Sequence, residues 1–323
     1  MAENASSSRS LVILFVSLHT FVWIASTFII LTVVLSRNVQ RQSTWFNLNL
    51  SWIFACFSFA LLLTAGQLFK PQPNGSICLA QAAASTSVPS LTSGATLAFA
   101  LHLWFNMRSS SHLDRLELRR ATLRNIALLV VPYIIPLVEF VAAFAYGIQH
   151  PNQVVLDSTG MLCGLTTDVF AKLSAISVSV IMFMTLIFES WIIYMIYLSW
   201  RSKSINSPIR GTAGLATVIR LIAFTVFTIV GIGASLTFLT TKGADAASAN
   251  LLQSIPPASF VFIFGFQWDI IRVWMFWRKD TQMSSDASIE GISRSPSPVM
   301  EVKVDLVRTT SYPREEQVKV LEV

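Results

Sequence analysis

Three ionisable side chains, Glu189, Arg220 and Asp269, lie inside long apolar segments of this 323-residue chain. Charged groups are costly in an apolar environment, so they usually pair with one another or serve a function. Counted from the nearer polar end at a rise of about 1.5 Å per residue, the three lie at a similar depth. This pattern predicts an ionic cluster that breaks when the protein changes state. A second interpretation stays open, in which the side chains extend to the interface or Asp269 pairs with Arg272.

A fourth ionisable residue, Glu139, lies in another apolar segment without an obvious basic partner. Together with neutral polar residues of other segments, it predicts a ligand cavity in the outer half of the protein. The residues considered for this cavity are Glu139, His19, Gln67, Ser85, Ser87, Thr92 and Ser93. The alternative for Glu139 is a protonated carboxyl group that is hydrogen-bonded to a neighbouring helix.

The chain has three cysteines, of which Cys56 lies inside an apolar segment. Cys78 begins another apolar segment, and Cys163 lies in the longest loop between such segments, residues 148–170. If both face an oxidising exterior, a disulfide between them would hold that loop over the rest of the protein. Two free thiols are the alternative.

Catalytic and cofactor-binding patterns find little support. The four histidines, His19, His102, His112 and His150, lie at different depths or sides, and no His and carboxylate set has metal-ligand spacing. A glycine-rich phosphate loop and a nucleophile elbow are also missing from the sequence. Residues 250–274 contain no lysine, which excludes a retinal Schiff base in that segment. We therefore predict neither an enzyme nor a cofactor.

Composition places these residues in a membrane protein. Hydrophobic residues make up 53% of the chain and charged residues 12%, with a mean hydropathy of +0.61. The net charge of +6 is distributed over the polar loops rather than gathered in one patch. It therefore indicates membrane topology and contact with lipid headgroups, not a nucleic-acid partner.

The apolar segments predict an all-α bundle of seven transmembrane helices. The spans are predicted at residues 11–36, 45–69, 78–108, 125–147, 171–200, 211–241 and 250–274. Residues 1–10 form a polar leader, 11–278 the transmembrane domain, and 279–323 a disordered cytoplasmic tail that is poor in large apolar residues. The third span is unusual, because residues 82–98 are mostly Ala, Ser, Thr and Gly. Small residues let helices approach closely, so this span should lie in the middle of the bundle.

Basic residues define the orientation. The loops after spans one, three and five and the start of the tail carry two, five, three and two Lys or Arg, against about one in each segment on the other side. The positive-inside rule then predicts a plasma-membrane protein with its N-terminus outside and its C-terminus in the cytosol. Two glycosylation sequons, at Asn4 and Asn74, fall outside. The tail holds phosphorylation candidates at Ser295, Ser297, Thr309 and Ser311, an unmodified solvated tail being the alternative.

This arrangement resembles the G-protein-coupled receptor superfamily. Seven spans, Cys78 at the head of span three, Cys163 in the second outer loop, basic inner loops and a Ser/Thr-rich tail carry the resemblance. Residues 41–47 (RQSTWFN) and 103–108 (LWFNMR) are similar to those of heptahelical receptors of mushroom-forming fungi. The resemblance covers about residues 10–278. It implies a Cys78–Cys163 disulfide, an outer ligand pocket for an unidentified extracellular ligand, and a heterotrimeric G protein or other cytosolic transducer as partner.

The resemblance also has departures. Met107 precedes Arg108 where rhodopsin-like receptors have an acidic residue, and the Cys-Trp-x-Pro and Asn-Pro-x-x-Tyr patterns are missing. The expected transducer contacts are the basic residues Arg108, Arg115, Arg119, Arg120, Arg201, Lys203 and Arg210. The same residues can instead fix the topology and bind anionic lipid. A transporter or channel-like protein that uses the intramembrane carboxylates is the alternative function, and a structural membrane protein is a third.

Overall fold

A computed structural model of the chain describes residues 2–36, 41–70, 72–108, 115–157, 159–201 and 246–265, a few positions between 220 and 233, and 268–274. The described residues are mostly helical. The helices are α1 (Ala2–Leu35), α2 (Ser43–Phe59), α3 (Leu61–Thr64), α4 (Gly75–Arg108), α5 (Arg115–Val130), α6 (Ile134–Gln149), α7 (Asp168–Arg201), α8 (Ala246–Gln253), α9 (Ile255–Gly265) and α10 (Trp268–Trp274). Strands β1 (Val154–Leu156) and β2 (Cys163–Leu165) form a small antiparallel hairpin.

Among the residues that the structure describes, three helical stretches are long and apolar enough to cross a membrane: Arg9–Leu35, Ala121–Gln149 and Asp168–Leu198. Large apolar side chains on their outer faces, such as Leu137 and Phe183, are exposed in the isolated chain. A lipid environment would cover these faces, as expected of a membrane-embedded protein. Helical residues also occur in each of the other predicted spans, including the described positions 220, 223, 225–227, 229–230 and 233 of the sixth.

Helix α4 lies at the centre of the bundle, in agreement with the prediction for the third span. It packs against α2, α6 and α7 and against both strands. No residue of α4 between Ile77 and Phe105 is exposed. The small side chains of its middle section explain this packing, because they let several neighbouring elements approach one helix.

The predicted fourth span is one continuous helical stretch with a local break. The break is a 3₁₀ turn, Val131–Tyr133, between α5 and α6. Pro132 cannot donate a backbone hydrogen bond, so the helix tightens there. Gly94 of α4 accommodates the bend: a Cβ atom on Gly94 would lie only 3.3 Å from the Pro132 carbonyl oxygen.

The ends of the predicted spans differ from the observed helices. Helix α1 begins at Ala2, so the predicted leader continues the first helix. The second span is interrupted at Ala60, between α2 and α3. The seventh is interrupted at Ser254, just before the Pro256 and Pro257 pair in the first turn of α9, a position where proline is tolerated. The predicted tail lies outside the described residues.

Candidate functional site

A cavity of about 500 Å³ lies between α2, α4, α7, the hairpin and α8 to α9. Its volume is within the range of about 300–1,000 Å³ that is usual for small-molecule pockets. Apolar and aromatic side chains form much of its wall, among them Trp52, Phe59, Phe170, Met182 and Phe260. The polar side of the wall includes four hydroxyl residues of α4, Ser85, Thr86, Thr92 and Thr96.

A disulfide between Cys78 and Cys163 joins the hairpin to the first turn of α4. It confirms the predicted pair, and both cysteines are buried. The long loop of residues 148–170 is therefore ordered in its described part, with Val154 paired to Leu165 and Leu156 to Cys163. Because Leu156 and Cys163 themselves line the cavity, the bridge fixes one of the cavity walls.

Gln81 is a second attachment between the hairpin and the bundle, and the sequence interpretation missed it. Its side chain is fully buried, and its Nε2 donates to the carbonyls of Ser58 (3.3 Å) and Phe59 (3.2 Å), the last residues of α2. Its Oε1 accepts a hydrogen bond of 3.0 Å from the backbone N–H of Cys163. One amide thus joins α2, α4 and β2. A lone glutamine within a run of alanines in an apolar span is the signal by which it could have been found.

The turn of the hairpin contacts α8. Within the turn, the N–H of Gly160, at a φ of +70° that suits glycine, donates to the Asp157 carbonyl (2.8 Å). The carboxylate of Asp157 accepts hydrogen bonds from Thr159 Oγ1 (2.7 Å) and Asn250 Nδ2 (3.4 Å). Asp157 and Asn250 both line the cavity. Sequence reasoning assigned no role to either residue, since nothing in the pattern indicated that they meet.

Two of the residues that were predicted for the ligand cavity, Ser85 and Thr92, line the observed cavity. Gln67 does not, because its Oε1 accepts from the backbone N–H of Asn74 and closes the turn before α4. His19 is fully buried, with its ring packed against Phe15 and Phe59 and its Nδ1 2.8 Å from the Phe15 carbonyl. His19 therefore packs between helices and does not line the cavity, contrary to the prediction.

Glu139 also lies outside the cavity lining, in a contact between α6, α4 and α7. Ser177 Oγ of α7 lies 2.7 Å from Glu139 Oε1, 2.9 Å from Ser90 Oγ of α4 and 2.9 Å from the Ser174 carbonyl. A hydroxyl has one proton, and the carbonyl can only accept. Ser177 therefore shares its one proton between Glu139 Oε1 and the Ser174 carbonyl, and its contact with Ser90 can run in either direction. Glu139 is therefore hydrogen-bonded to a neighbouring helix, as the alternative interpretation expects, and its protonation stays a prediction.

The structure describes the side chains of two of the three residues in the predicted ionic cluster. Glu189 is fully buried on α7, and Arg220 is a half-buried helical residue. The backbone of Asp269 is helical, but its side chain lies outside the described residues. Beside Glu189, the rings of Phe188 and Trp191 pack on Trp104 of α4, with centroids 5.8 and 5.9 Å apart. The switch therefore stays a prediction.

The remaining predicted sites lie at or beyond the ends of the described helices. Arg201 is exposed at the end of α7, and Asn74 is exposed before α4, where its Oδ1 accepts from the Ser76 N–H (3.0 Å). The backbones of Asn4, Arg108, Arg115, Arg119 and Arg120 are helical, but their side chains are not described. Lys203, Arg210, Ser295, Ser297, Thr309 and Ser311 lie outside the described residues. Glycosylation, phosphorylation and transducer contact at these positions stay predictions.

Within the part of the chain that the structure describes, no group of three or more His, Cys, Asp or Glu side chains is placed to hold a metal ion. The site is therefore characterised by its shape and its hydrogen-bonding groups: a cavity beside a polar central helix, with one wall held by a disulfide. Comparison with known proteins assigns no family to this arrangement, because no protein-family model and no curated protein matches the chain.

Proposed function

We propose that the chain is a seven-helix plasma-membrane receptor of the G-protein-coupled type, with its N-terminus outside and its tail in the cytosol. An external chemical binds in the cavity beside α4, and the bound state is passed to a cytosolic transducer. The observation that supports this most is the cavity of about 500 Å³ whose wall includes the disulfide-bonded hairpin. Such a fixed wall keeps a pocket preformed, which lowers the ordering cost of binding.

The contacts of α4 provide a route for the signal. Its outer half lines the cavity through Ser85 and Thr92, and its inner end packs against α7 through Trp104 and Trp191. A ligand that binds one arrangement of α4 and α7 more tightly shifts the population toward that arrangement. The inner ends of spans five and six would then separate, and the basic inner loops would contact an acidic transducer surface.

Co-purification of a G-protein α subunit tests this function. Full-length tagged protein, solubilised from cells that express heterotrimeric G proteins, should retain the α subunit without nucleotide and release it when GTPγS is added. Arg119→Glu combined with Arg120→Glu should reduce retention, because both residues lie in the most basic inner loop. Arg9→Glu, at the opposite end of the bundle, is the matched control. Failure to retain any α subunit, or retention that ignores nucleotide, would contradict the proposal.

A transporter or channel-like protein is the second candidate function. Two buried acidic side chains inside apolar helices, Glu139 of α6 and Glu189 of α7, favour it, because intramembrane carboxylates often mark ion or proton pathways. Purified protein in sealed vesicles distinguishes the two. Solute or proton flux that disappears in Glu189→Gln would support transport, whereas a receptor should produce no flux.

A further inference from the structure

The chemistry of the cavity wall restricts the ligand class. On α4, four hydroxyl side chains line the cavity, and each donates its proton to a carbonyl of its own helix. The bonds are Ser85 to Ala82 (3.1 Å), Thr86 to Ala82 (2.8 Å), Thr92 to Val88 (3.2 Å) or Pro89 (3.1 Å), and Thr96 to Thr92 (2.8 Å). A hydroxyl has a single proton and two lone pairs. The α4 side of the cavity therefore offers hydrogen-bond acceptors.

The charge on the cavity wall also favours a cationic ligand over an anionic one. Asp157 is the only Asp, Glu, Lys, Arg or His among the described residues that line the cavity. Its carboxylate accepts hydrogen bonds from Thr159 and Asn250. A carboxylate attracts a cation much more strongly beside a low-dielectric wall than in bulk water. An anionic ligand would instead meet a like charge and a row of acceptors.

Other residues of the cavity wall are apolar. Trp52, Val178, Met182, Phe260 and Ile263 line it, from α2, α7 and α9. Aromatic and branched side chains of this kind gain about 25 cal/mol for each Å² of apolar ligand surface that they remove from water. The wall is therefore amphipathic, with acceptor oxygens on α4 and at Asp157 and apolar side chains on α2, α7 and α9.

We propose that the cavity binds an apolar molecule that carries a protonated amine. The ammonium group contacts Asp157 and an acceptor oxygen of α4, and the apolar part contacts Trp52 and Phe260. This inference rests on the proposed function, since it names the ligand class of that same cavity. It does not depend on which transducer the protein uses.

Three probes that share one apolar skeleton test the ligand class: phenylbutylamine, its N-acetyl derivative and phenylbutyric acid. Binding is measured by calorimetry and by the shift in Tm of purified full-length protein. The amine should bind at least about tenfold more tightly than either relative, which corresponds to about 1.4 kcal/mol. Equal or tighter binding of the acid or the amide, or no binding by all three, would overturn the inference.

A charge-neutral variant locates the contact. Asp157→Asn keeps an oxygen that can accept from Thr159 and should lower amine affinity about tenfold while leaving binding of the neutral amide unchanged. The matched control is Asp168→Asn, which removes an exposed carboxylate at the start of α7, outside the cavity. An unchanged amine affinity in Asp157→Asn would overturn the inference. If that variant does not fold, Thr92→Val should still weaken amine binding, and an unchanged affinity there would count equally against it.

Failure of this inference and failure of the receptor proposal give different results. A protein that retains a G-protein α subunit in a nucleotide-sensitive manner but prefers the acid is a receptor for another ligand class. A protein that binds the amine through Asp157 but retains no transducer has the binding site without the signalling role.

Discussion

Helices α4 and α7 have the same length, 34 residues, and lie side by side, yet their surroundings differ. Helix α4 exposes nothing between Ile77 and Phe105. Helix α7 exposes large apolar side chains along its outer face, among them Val180 at 59% and Phe183 at 61%, and buries a stripe that includes Val178 and Glu189. One helix is adapted to protein on all sides, and the other to protein on one side and lipid on the other.

This difference explains why the mean hydropathy of α7 is high enough to identify it as a membrane span, whereas that of α4 is not. Residues Asp168–Leu198 are long and apolar enough to be identified as a span, whereas α4 is not among the spans identified by length and composition. A lipid-facing surface needs large apolar side chains, while a helix surrounded by other helices needs small ones that allow close approach. In α4, the side-chain hydroxyl groups also donate hydrogen bonds to backbone carbonyls of the same helix, so burying them costs little free energy.

The largest expected effect comes from removing the disulfide at the N-terminal end of α4. Cys78→Ser combined with Cys163→Ser opens a loop with a sequence separation of 85 residues, which should lower the free energy of unfolding by about 4 kcal/mol. Thermal unfolding of the purified protein measures it. Hydrogen exchange should rise in residues 154–165 and stay low in the middle of α7. Cys56→Ala, which removes a thiol without a bridge, is the control, and an unchanged Tm in the double variant would contradict the account.

Gln81→Leu is expected to have the next largest effect. The leucine fits a buried position but leaves the carbonyls of Ser58 and Phe59 and the N–H of Cys163 without their partner. Unpaired buried groups of this kind should cost about 3 kcal/mol. Gln149→Leu, at an exposed position of α6, should cost almost nothing. Similar unfolding temperatures for the two variants would show that the Gln81 contacts contribute nothing to stability.

Overpacking compares the two helices directly. Ala83, fully buried on α4, should not tolerate a larger side chain, so Ala83→Leu should destabilise the protein by about 2 kcal/mol. Val180→Leu adds a methylene to the lipid-facing side of α7 and should change stability by less than about 0.5 kcal/mol. The comparison is made by thermal unfolding in the same lipid or detergent. Equal losses would mean that α4 is not enclosed as described.

The smallest expected effect concerns the contact that joins α4, α6 and α7. Glu139→Gln replaces an O–H donor with an N–H donor and should change stability by less than about 0.5 kcal/mol, whereas Ser177→Ala removes the shared hydroxyl and should cost about 1 kcal/mol. Infrared spectroscopy provides the direct check. Wild-type protein should show a protonated carboxylic acid band that disappears in Glu139→Gln, and a band that persists there would assign the proton to another residue.

Some features follow from residue type and order, and others do not. The Cys78–Cys163 pair and the central position of α4 were predicted, because each depends on residue types that are visible in the sequence. The hairpin was not, since strands of three residues are too short to show an alternating pattern. His19 and Glu139 were assigned to the cavity because sequence indicates depth along a helix. Which face meets a neighbour depends on the rotation of each helix within the bundle.

Cysteine accessibility tests the central claim most directly, that a cavity beside α4 is open to the outside of the cell. In a Cys56→Ala background, Thr92→Cys places a thiol in the cavity wall and Val180→Cys places one on the lipid-facing side of α7. A membrane-impermeant thiol reagent added to intact cells should label the Thr92→Cys variant and leave the Val180→Cys variant unmodified. The account is contradicted if the Thr92→Cys variant reacts only after the cytosolic side is exposed, or if it does not react from either side.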